Sequence, residues 1–497
     1  MNFSHDPVGH AGPFRLQSPF SGIFTGGSIL RRANTRLRYS SPTRSSRSGY
    51  SRSGSGPGRI IGYIIVLLLL VAVGFGAWHM LSDLDGPSIS LSPDTGSIAP
   101  SKNLRFAVSD PSGVRSLKVT IHRKDQSLVL LDRTFASPSN RQEVEIGLKE
   151  SGLRDGTFQL EAEARDMAFM GLGSGNSRTA RWEMRLDGQA PQVRVRTTAP
   201  ALRRGGMAAI GYTVSEDVET TGVRIKDHFF PAFRQASGIY FCLFPWALDV
   251  TKAEFLPEIV SVDLAGNESR TRVILNASDH NYKNDTLNIS DKFLDSKMPA
   301  LAHLAPEAGS NLEIYLHMNN VVRRENENTL MELGTNTAPT MLWQGAFKRL
   351  PGSASRAGFG DHRTYMHNGT KIDEQTHMGQ DLASTARAPI PAANAGTVVY
   401  AGDLGIYGLM VLIDHGLGLQ SLYSHMSEIG VAVGDTVKQG DIIGKTGTTG
   451  LAGGDHLHFG MVLHGIQIQP TDWFDAKWVR NMVTGRLQDA DRAVQKK

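Results

Sequence analysis

One run of 22 residues without Asp, Glu, Lys or Arg constrains this chain more than any other feature. It extends from Ile60 to Leu81 and consists mostly of Ile, Leu, Val, Gly and Ala. A helix of this length measures about 33 Å at about 1.5 Å per residue, so it can cross a hydrocarbon core about 30 Å thick. We therefore predict one transmembrane helix over residues 60–81.

The charged residues on either side of the run predict its orientation. Residues 1–59 contain nine Arg, no Lys and one acid, Asp6, which gives a net charge of +8. Asp83 and Asp85 follow the run. The positive-inside rule then places the N-terminus in the cytoplasm and everything after about residue 82 outside it. A cleaved signal peptide is the alternative, but its charged region would be far longer than usual and no A-x-A site follows.

This distribution of charge explains why the whole chain is basic. Its net charge is +4, so the residues after position 59 together carry −4. A basic tail beside a membrane helix needs no nucleic-acid partner, and we expect none. The tail, residues 1–59, is rich in Ser and Arg and is predicted to be disordered. The one cysteine, Cys242, excludes internal disulfides and multi-cysteine zinc sites.

Two stretches after the apolar run show short alternating segments between Asp, Gly, Pro and Ser turns. They cover residues 86–188 and 189–277, and this pattern is typical of antiparallel strands in β-sandwiches. Arg165-Asp166-Met167-Ala168 in the first is echoed by Val262-Asp263-Leu264-Ala265 in the second. The stretches resemble tandem bacterial immunoglobulin-like modules, which would serve as spacers or bind other envelope proteins.

Residues 278–340 change character and are predicted to form a linker with helices. Ser290 can cap a short helix, and Leu312, Tyr315 and Val322 recur at roughly helical spacing. We favour a packing helix between domains. A helix that shields the groove of the following domain is the alternative.

From residue 341 onward the β pattern returns. Asn368-Gly369 follows an alternating segment and is the strongest short signal for a hairpin. Further strands are expected with Gly-rich connections and almost no helix. We therefore predict an antiparallel β domain over residues 341–480 and a C-terminal tail over residues 481–497.

Two histidine patterns in this domain suggest a metal. In His377-x-x-x-Asp381, the imidazole nitrogen and the carboxylate oxygen are both good Zn²⁺ ligands. In His456-Leu457-His458, strand alternation turns both imidazoles to one face and Leu457 to the other. Either pattern alone is weak, because chance supplies such spacings often in a chain with 16 His.

A third candidate is His425, at the end of another predicted strand. Taken jointly, the three patterns fit a catalytic zinc site with an open fourth position. The other histidines of the region are interpreted as structural or surface residues. They are His362, His367, His415 and His464.

The motifs follow one another as His377-x-Gly379-x-Asp381, Tyr423-Ser424-His425 and His456-Leu457-His458-Phe459. In this order they resemble the lysostaphin/LytM-type zinc endopeptidases of bacterial cell walls, and the resemblance covers about residues 341–474. It implies a LytM-type antiparallel β peptidase domain. The expected fold is therefore mainly β, with tandem immunoglobulin-like sandwiches before that domain and one N-terminal transmembrane helix.

The resemblance also implies a role for each motif residue. His377, Asp381 and His458 would bind Zn²⁺, while His456 and His425 would be the catalytic histidines. His456 would accept a proton from the attacking water, and His425 would donate to the oxyanion that develops on the substrate. Either role fits either histidine.

The substrate implied by the family is a peptide bond of peptidoglycan, in a stem cross-link or an interpeptide bridge. We expect a zinc metalloendopeptidase with a single pass through the bacterial cytoplasmic (inner) membrane and a periplasmic or extracellular catalytic domain. The alternative is a non-hydrolytic envelope protein that binds peptidoglycan and activates an amidase. The complete ligand set argues against that alternative, because relatives of that kind have lost ligands.

Overall fold

The structure is a computed structural model that describes residues 57–81, 83–94, 96–124, 126–168 and 173–495. Residues 1–56 of the tail predicted over residues 1–59 lie outside the described residues. Strands account for much more of the chain than helices, which confirms the prediction of a mainly β fold.

The apolar run forms helix α1 (Pro57–Leu81). Its segment Ile60–Trp78 has a mean hydropathy of 2.8, and its large apolar side chains are exposed. Among the residues that the structure describes, α1 is the one helix with the length and composition to cross a bilayer. The expected helix is therefore present.

The first β region folds as two sheets that share one core. One sheet has the strand order β1-β3-β6 and the other β2-β8-β7-β4-β5. Phe106 and Val144 from the first sheet pack with Leu117 and Leu160 from the second, and all four are buried. The strands are β1 (Ser88–Ser92), β2 (Ser97–Ile98), β3 (Asn103–Ser109), β4 (Val114–Arg123), β5 (Gln126–Thr134), β6 (Arg141–Gly147), β7 (Gly156–Asp166) and β8 (Ser177–Leu186).

The second β region is also built from two main sheets around a buried core. Their orders are β14-β15-β11-β9 and β13-β12-β16-β17, and β10 pairs with β18. Cys242 is fully buried in this core among apolar side chains. The strands are β9 (Val193–Thr198), β10 (Leu202–Arg203), β11 (Met207–Val214), β12 (Val218–Ile225), β13 (His228–Pro231), β14 (Phe233–Arg234), β15 (Tyr240–Pro245), β16 (Glu258–Asp263), β17 (Glu268–Arg272) and β18 (Ala277–Ser278).

Each of the two β regions contains the same hydrogen-bonded turn. In the first, Asp166 accepts backbone N–H bonds from its own loop, and the Asn176 amide donates to the Asp83 carbonyl over 3.0 Å. In the second, Asp263 does the same, and the Asn267 amide donates to the Asp187 carbonyl over 2.8 Å. The repeated sequence motif thus corresponds to the same contact in each region, made with the segment that precedes that region. Membership of the immunoglobulin-like class stays a prediction.

The C-terminal β region is built on a large, mostly antiparallel sheet with the order β20-β23-β30-β27-β26-β25-β28. Asn368 and Gly369 have φ values of 47° and 78° between paired strands, which confirms the predicted hairpin. The strands are β20 (Ala354–Ala357), β21 (His362–His367), β22 (Thr370–Thr376), β23 (Gln380–Ala383), β24 (Pro389–Pro391), β25 (Gly396–Asp403), β26 (Leu409–Gly416), β27 (Leu419–Ile429), β28 (Thr436–Val437), β29 (Ile442–Thr446), β30 (Leu457–Leu463) and β31 (Ile466–Ile468).

Residues 284–333, here called the interdomain segment, pack directly onto this sheet. Strand β19 (Asn284–Asn288) pairs in parallel with β21. Helices α2 (Asp291–Leu301), α3 (Asn311–His317) and α4 (Arg323–Leu333) follow, with a π-helical turn over Met318–Val322 between α3 and α4. The Ser290 hydroxyl accepts the Phe293 N–H bond, as the predicted cap requires. Buried apolar side chains join the segment to the sheet in one core.

Helices occupy the described part of the predicted C-terminal tail and the residues just before it. They are α5 (Ala476–Val479) and α6 (Gly485–Gln495), joined by a π-helical turn over Arg480–Thr484. The Ser237 hydroxyl of the second β region donates to the Asp491 carboxylate of α6 over 2.6 Å. Helix α6 therefore contacts the second β region.

Two buried histidines of the C-terminal region give the fold a dependence on pH. Burial lowers the pKa of His415 and of His464 to about 4. The His415 ring makes hydrogen bonds to the Ala395 carbonyl (2.7 Å) and the Ser421 hydroxyl (2.8 Å). Both rings are therefore neutral in the folded protein at pH values where they are protonated in the unfolded chain, in which the pKa of histidine is near 6.5.

We predict that the free energy of unfolding falls as the pH drops from about 6.5 towards 4. The unfolded state binds more protons in this range, so at pH 5 each histidine costs about 2 kcal/mol of the stability present above pH 6.5. Urea unfolding with EDTA present measures this dependence. His415→Gln should lessen this dependence by about the contribution of one histidine, and the exposed-site variant His303→Gln should leave it unchanged. Equal pH slopes in wild type and His415→Gln would contradict the assignment.

Candidate metal centre

The centre begins with a cross-strand pair. Strands β23 and β30 run antiparallel, and their register sets Asp381 directly opposite His458. Residues opposite each other in a sheet turn their side chains to the same face. Leu457 turns to the other face and is 2% exposed in the main core. Burial of this leucine, worth about 1.5–3 kcal/mol, thus fixes which face of β30 carries the imidazole.

His377 joins this pair from the loop before β23. Its Nδ1 donates a hydrogen bond to the Gly358 carbonyl over 2.7 Å, so its Nε2 is left free to bind a metal. That Nε2 lies 3.0 Å from Asp381 Oδ1 and 3.0 Å from His458 Nδ1. His458 Nδ1 lies 2.9 Å from the same carboxylate oxygen. Three potential ligand atoms therefore converge on one point.

These donor atoms fit a zinc ion. Tetrahedral zinc with bonds of about 2.0–2.2 Å holds its ligand atoms roughly 3.3 Å apart, so shifts of a few tenths of an ångström suffice. Burial raises the pKa of Asp381, but the His377 charge and the hydrogen bonds from His377, His456 and His458 outweigh it and hold that pKa well below its usual range. Burial lowers the pKa of His458 to about 4. The set therefore offers a carboxylate and a neutral imidazole.

His456 lies beside this donor set, at the head of β30. Its Nδ1 donates to the Gly454 carbonyl over 2.8 Å, and its Nε2 lies 3.5 Å from Asp381 Oδ1. Burial lowers the pKa of His456, but the hydrogen bond and charge of Asp381 outweigh this effect, so the pKa is raised overall. His456 is thus placed to exchange a proton next to the donor atoms.

His425 completes the group from β27. It has a φ of 60°, in the left-handed region, at a register shift between β27 and β26. Its Nδ1 donates to the Thr449 carbonyl over 2.9 Å, and its ring centroid is 4.9 Å from that of His456. Burial and the neighbouring His458 and His456 lower its pKa well below the usual value. Left-handed backbone at a non-glycine residue is costly, and such strain concentrates at functional sites.

The structure brings all five predicted residues to one cavity of about 340 Å³. Residues of the interdomain segment form part of its wall, among them Tyr315, Asn319 and Arg323. Arg363 of β21 also lines it. Helical spacing predicts that Tyr315 packs, but it gives no role to Asn319 or Arg323, because the pattern of a polar helix does not show which of its side chains will face a distant loop.

The region that contains these residues is similar to known proteins. Residues 375–470 match the family model "Peptidase family M23". The chain is 36% identical over 94 residues to a protein of Neisseria meningitidis serogroup B named "DD-carboxypeptidase/endopeptidase Mpg", covering 19% of this chain and 22% of that one. It is 29% identical over 160 residues to "Peptidoglycan DD-endopeptidase ShyA" of Vibrio cholerae, covering 32% and 34%.

Among solved structures, the catalytic domain of lysostaphin from Staphylococcus simulans is 28% identical. The alignment covers 26% of this chain and 98% of that domain, with a TM-score of 0.23. The family match and the curated relatives confirm the predicted resemblance for this part of the chain. This chain carries a peptidase family M23 domain. It spans less than a quarter of the meningococcal relative and about a third of the Vibrio relative.

We predict that Gly379→Ala weakens metal binding about 10- to 100-fold, as losses of supporting contacts around a ligand typically do. A Cβ at Gly379 would lie 2.4 Å from His458 Nε2 and 2.9 Å from the Phe459 carbonyl oxygen, so the His458 ring must shift. Zinc affinity measured by chelator competition tests this. Gly453→Ala is the matched control, because a Cβ there has no neighbour within 4 Å and Gly453 lines the same cavity. Equal affinities in the two variants would refute the packing argument.

Proposed function

We propose that this protein is a zinc metalloendopeptidase that hydrolyses peptide bonds of peptidoglycan. The observation that carries the proposal is the convergence of His377 Nε2, Asp381 Oδ1 and His458 Nδ1 within 3.0 Å of one another, with two further imidazoles beside them. These three residues would hold the zinc. His456 and His425 would handle protons.

Zinc at this position would supply a Lewis acid that polarises the scissile carbonyl and lowers the pKa of a water molecule. The side chains supply the rest. His456 and His425 each donate Nδ1–H to a backbone carbonyl, which fixes the tautomer and leaves Nε2 to accept or donate a proton. Because both rings present the same nitrogen, the geometry supports either division of the acid and base roles between them.

Several features favour peptidoglycan as the substrate. Two relatives are named as a DD-carboxypeptidase/endopeptidase and as a peptidoglycan DD-endopeptidase. An apolar helix precedes the β regions, and the Arg-rich tail before it favours a cytoplasmic N-terminus. In that orientation the catalytic domain would lie outside the bacterial cytoplasmic membrane and face the cell wall. The two β regions would serve as spacers or as surfaces for envelope partners.

The second candidate, a non-hydrolytic activator of an amidase, is less well supported. Such a protein has no need of a complete set of metal ligands. Here the cluster His377, Asp381 and His458 is complete and lies at a cavity. The geometry therefore favours hydrolysis.

We predict that His377→Ala abolishes both zinc binding and the release of muropeptides from purified sacculi. His456→Ala should retain about one zinc per chain but lower the rate about 10²- to 10⁴-fold, because it removes a proton-transfer group and no proposed ligand. Chromatography of muropeptides and elemental analysis of the full-length protein in detergent measure both quantities. His303→Ala, at an exposed site, is the control. Equal muropeptide profiles for wild type and His377→Ala would overturn the proposal.

We also predict that α1 holds the protein in the membrane. The full-length protein should remain in the membrane pellet after washing with alkaline carbonate, whereas a chain beginning at residue 83 should enter the supernatant. Protease added to spheroplasts should digest the catalytic domain of the full-length protein. Immunoblotting of the fractions measures both results. Extraction of the full-length protein by carbonate, or complete protection of its catalytic domain, would contradict the proposed topology.

A further inference from the structure

Two arginines from distant parts of the sequence line the cavity that holds the proposed zinc ligands. Arg323 begins α4 in the interdomain segment, and Arg363 lies on β21. Burial raises the pKa of Tyr315 in the same wall, and the charges of both arginines act against that rise. Both guanidinium groups are thus within electrostatic reach of one hydroxyl group.

Arg323 is held in place but has no anionic partner. Its Nε donates to the Asn319 carbonyl over 3.1 Å, and its Nη2 donates to the Asn319 side-chain oxygen over 2.5 Å. Asn319 in turn donates from Nδ2 to Asp373 Oδ2 on β22 over 2.6 Å. Within the described ranges, no carboxylate oxygen lies within 4.0 Å of the Arg323 guanidinium. The remaining N–H groups of a pre-positioned cation are therefore available at the cavity.

Three carboxylates lie near the two arginines, and none of them forms an ion pair with Arg323 within 4.0 Å. Burial raises the pKa of Glu327, one helical turn after Arg323 on α4, and the Arg323 charge acts against that rise. Asp373 Oδ2 accepts amide N–H bonds from both Asn319 and Asn320. Asp381 is a proposed zinc ligand, and its second oxygen, Oδ2, accepts a long hydrogen bond of 3.4 Å from Arg363 Nη2. That distance is longer than in a strong charge-assisted hydrogen bond, so this contact does not occupy the whole Arg363 guanidinium. The cavity lining therefore carries two guanidinium groups and one carboxylate, Asp381, and a bound zinc would add further positive charge.

We propose that Arg323 and Arg363 form a subsite that binds a carboxylate of the peptide next to the bond to be cut. This inference rests on the proposed function and adds to it the charge of the substrate. Guanidinium groups match carboxylates in planar, paired hydrogen bonds, and Arg323 is already oriented by Asn319. A carboxylate also balances the positive charge of the cavity. Asn319 is a positioning residue in this arrangement.

Two parts of a peptide can supply such a carboxylate, the C-terminus and an acidic side chain. Four forms of a stem peptide prepared from sacculi distinguish them: unmodified, amidated at the C-terminus, amidated at the side-chain carboxylate, and amidated at both. Calorimetric titration of the zinc-loaded full-length protein in detergent measures the affinity of each. No turnover is needed, so this readout is separate from hydrolysis.

We expect wild type to bind the unmodified peptide about 10- to 100-fold more tightly than the form amidated at the recognised carboxylate, as a charged hydrogen-bonded pair implies. Arg323→Gln should remove most of this preference while leaving bound zinc unchanged. Arg363→Gln should do the same, with its zinc content measured because of the Asp381 contact. Arg324→Gln and Arg356→Gln, at exposed neighbouring positions, are the matched controls and should keep the preference.

Equal affinity of wild type for all four peptides would overturn the subsite. So would an Arg323→Gln variant that retains the full preference or that loses affinity for acid and amide forms alike. If sacculi are not hydrolysed while the preference depends on Arg323, the proposed function fails and the subsite stands. The two failures are therefore distinguishable.

Discussion

The antiparallel register of β23 and β30 is the constraint on which the rest of the centre depends. It sets Asp381 opposite His458, and a shift of one residue would turn one of the two side chains to the far side of the sheet. Leu457 helps to secure this register, because it is buried in the main core on the face of β30 opposite His458. Ordinary strand pairing therefore positions two of the three proposed ligands, and the third, His377, is oriented from the preceding loop by the Gly358 carbonyl.

The sequence predicted the part of this arrangement that follows strand alternation. His456 and His458 fall two residues apart on a strand, and Asn368-Gly369 specifies its hairpin through the local backbone alone. Strand alternation does not predict the position of the His425 ring, because its left-handed backbone and the register shift beside it depend on the partner strand. The roles assigned to the five residues remain proposals that rest on their convergence.

The wall of the cavity could not be predicted in the same way. Arg323 lies in a stretch that the sequence marked as a linker, and its relation to the centre passes through Asn319 to Asp373 on β22. Nothing in the spacing of α4 specifies that connection, since it joins residues 50 positions apart through tertiary packing. Local periodicity predicts which residues are helical, whereas only the packed structure shows what the helix faces.

The pairing of β19 with β21 has a consequence for how this protein can be divided. A fragment beginning at residue 341 would leave one edge of β21 without its partner and would uncover the apolar surface on which α2, α3 and α4 pack. Open strand edges beside exposed apolar patches promote self-association. The smallest soluble fragment of the C-terminal β region should accordingly begin before Asn284, inside the stretch that the sequence predicts as a linker.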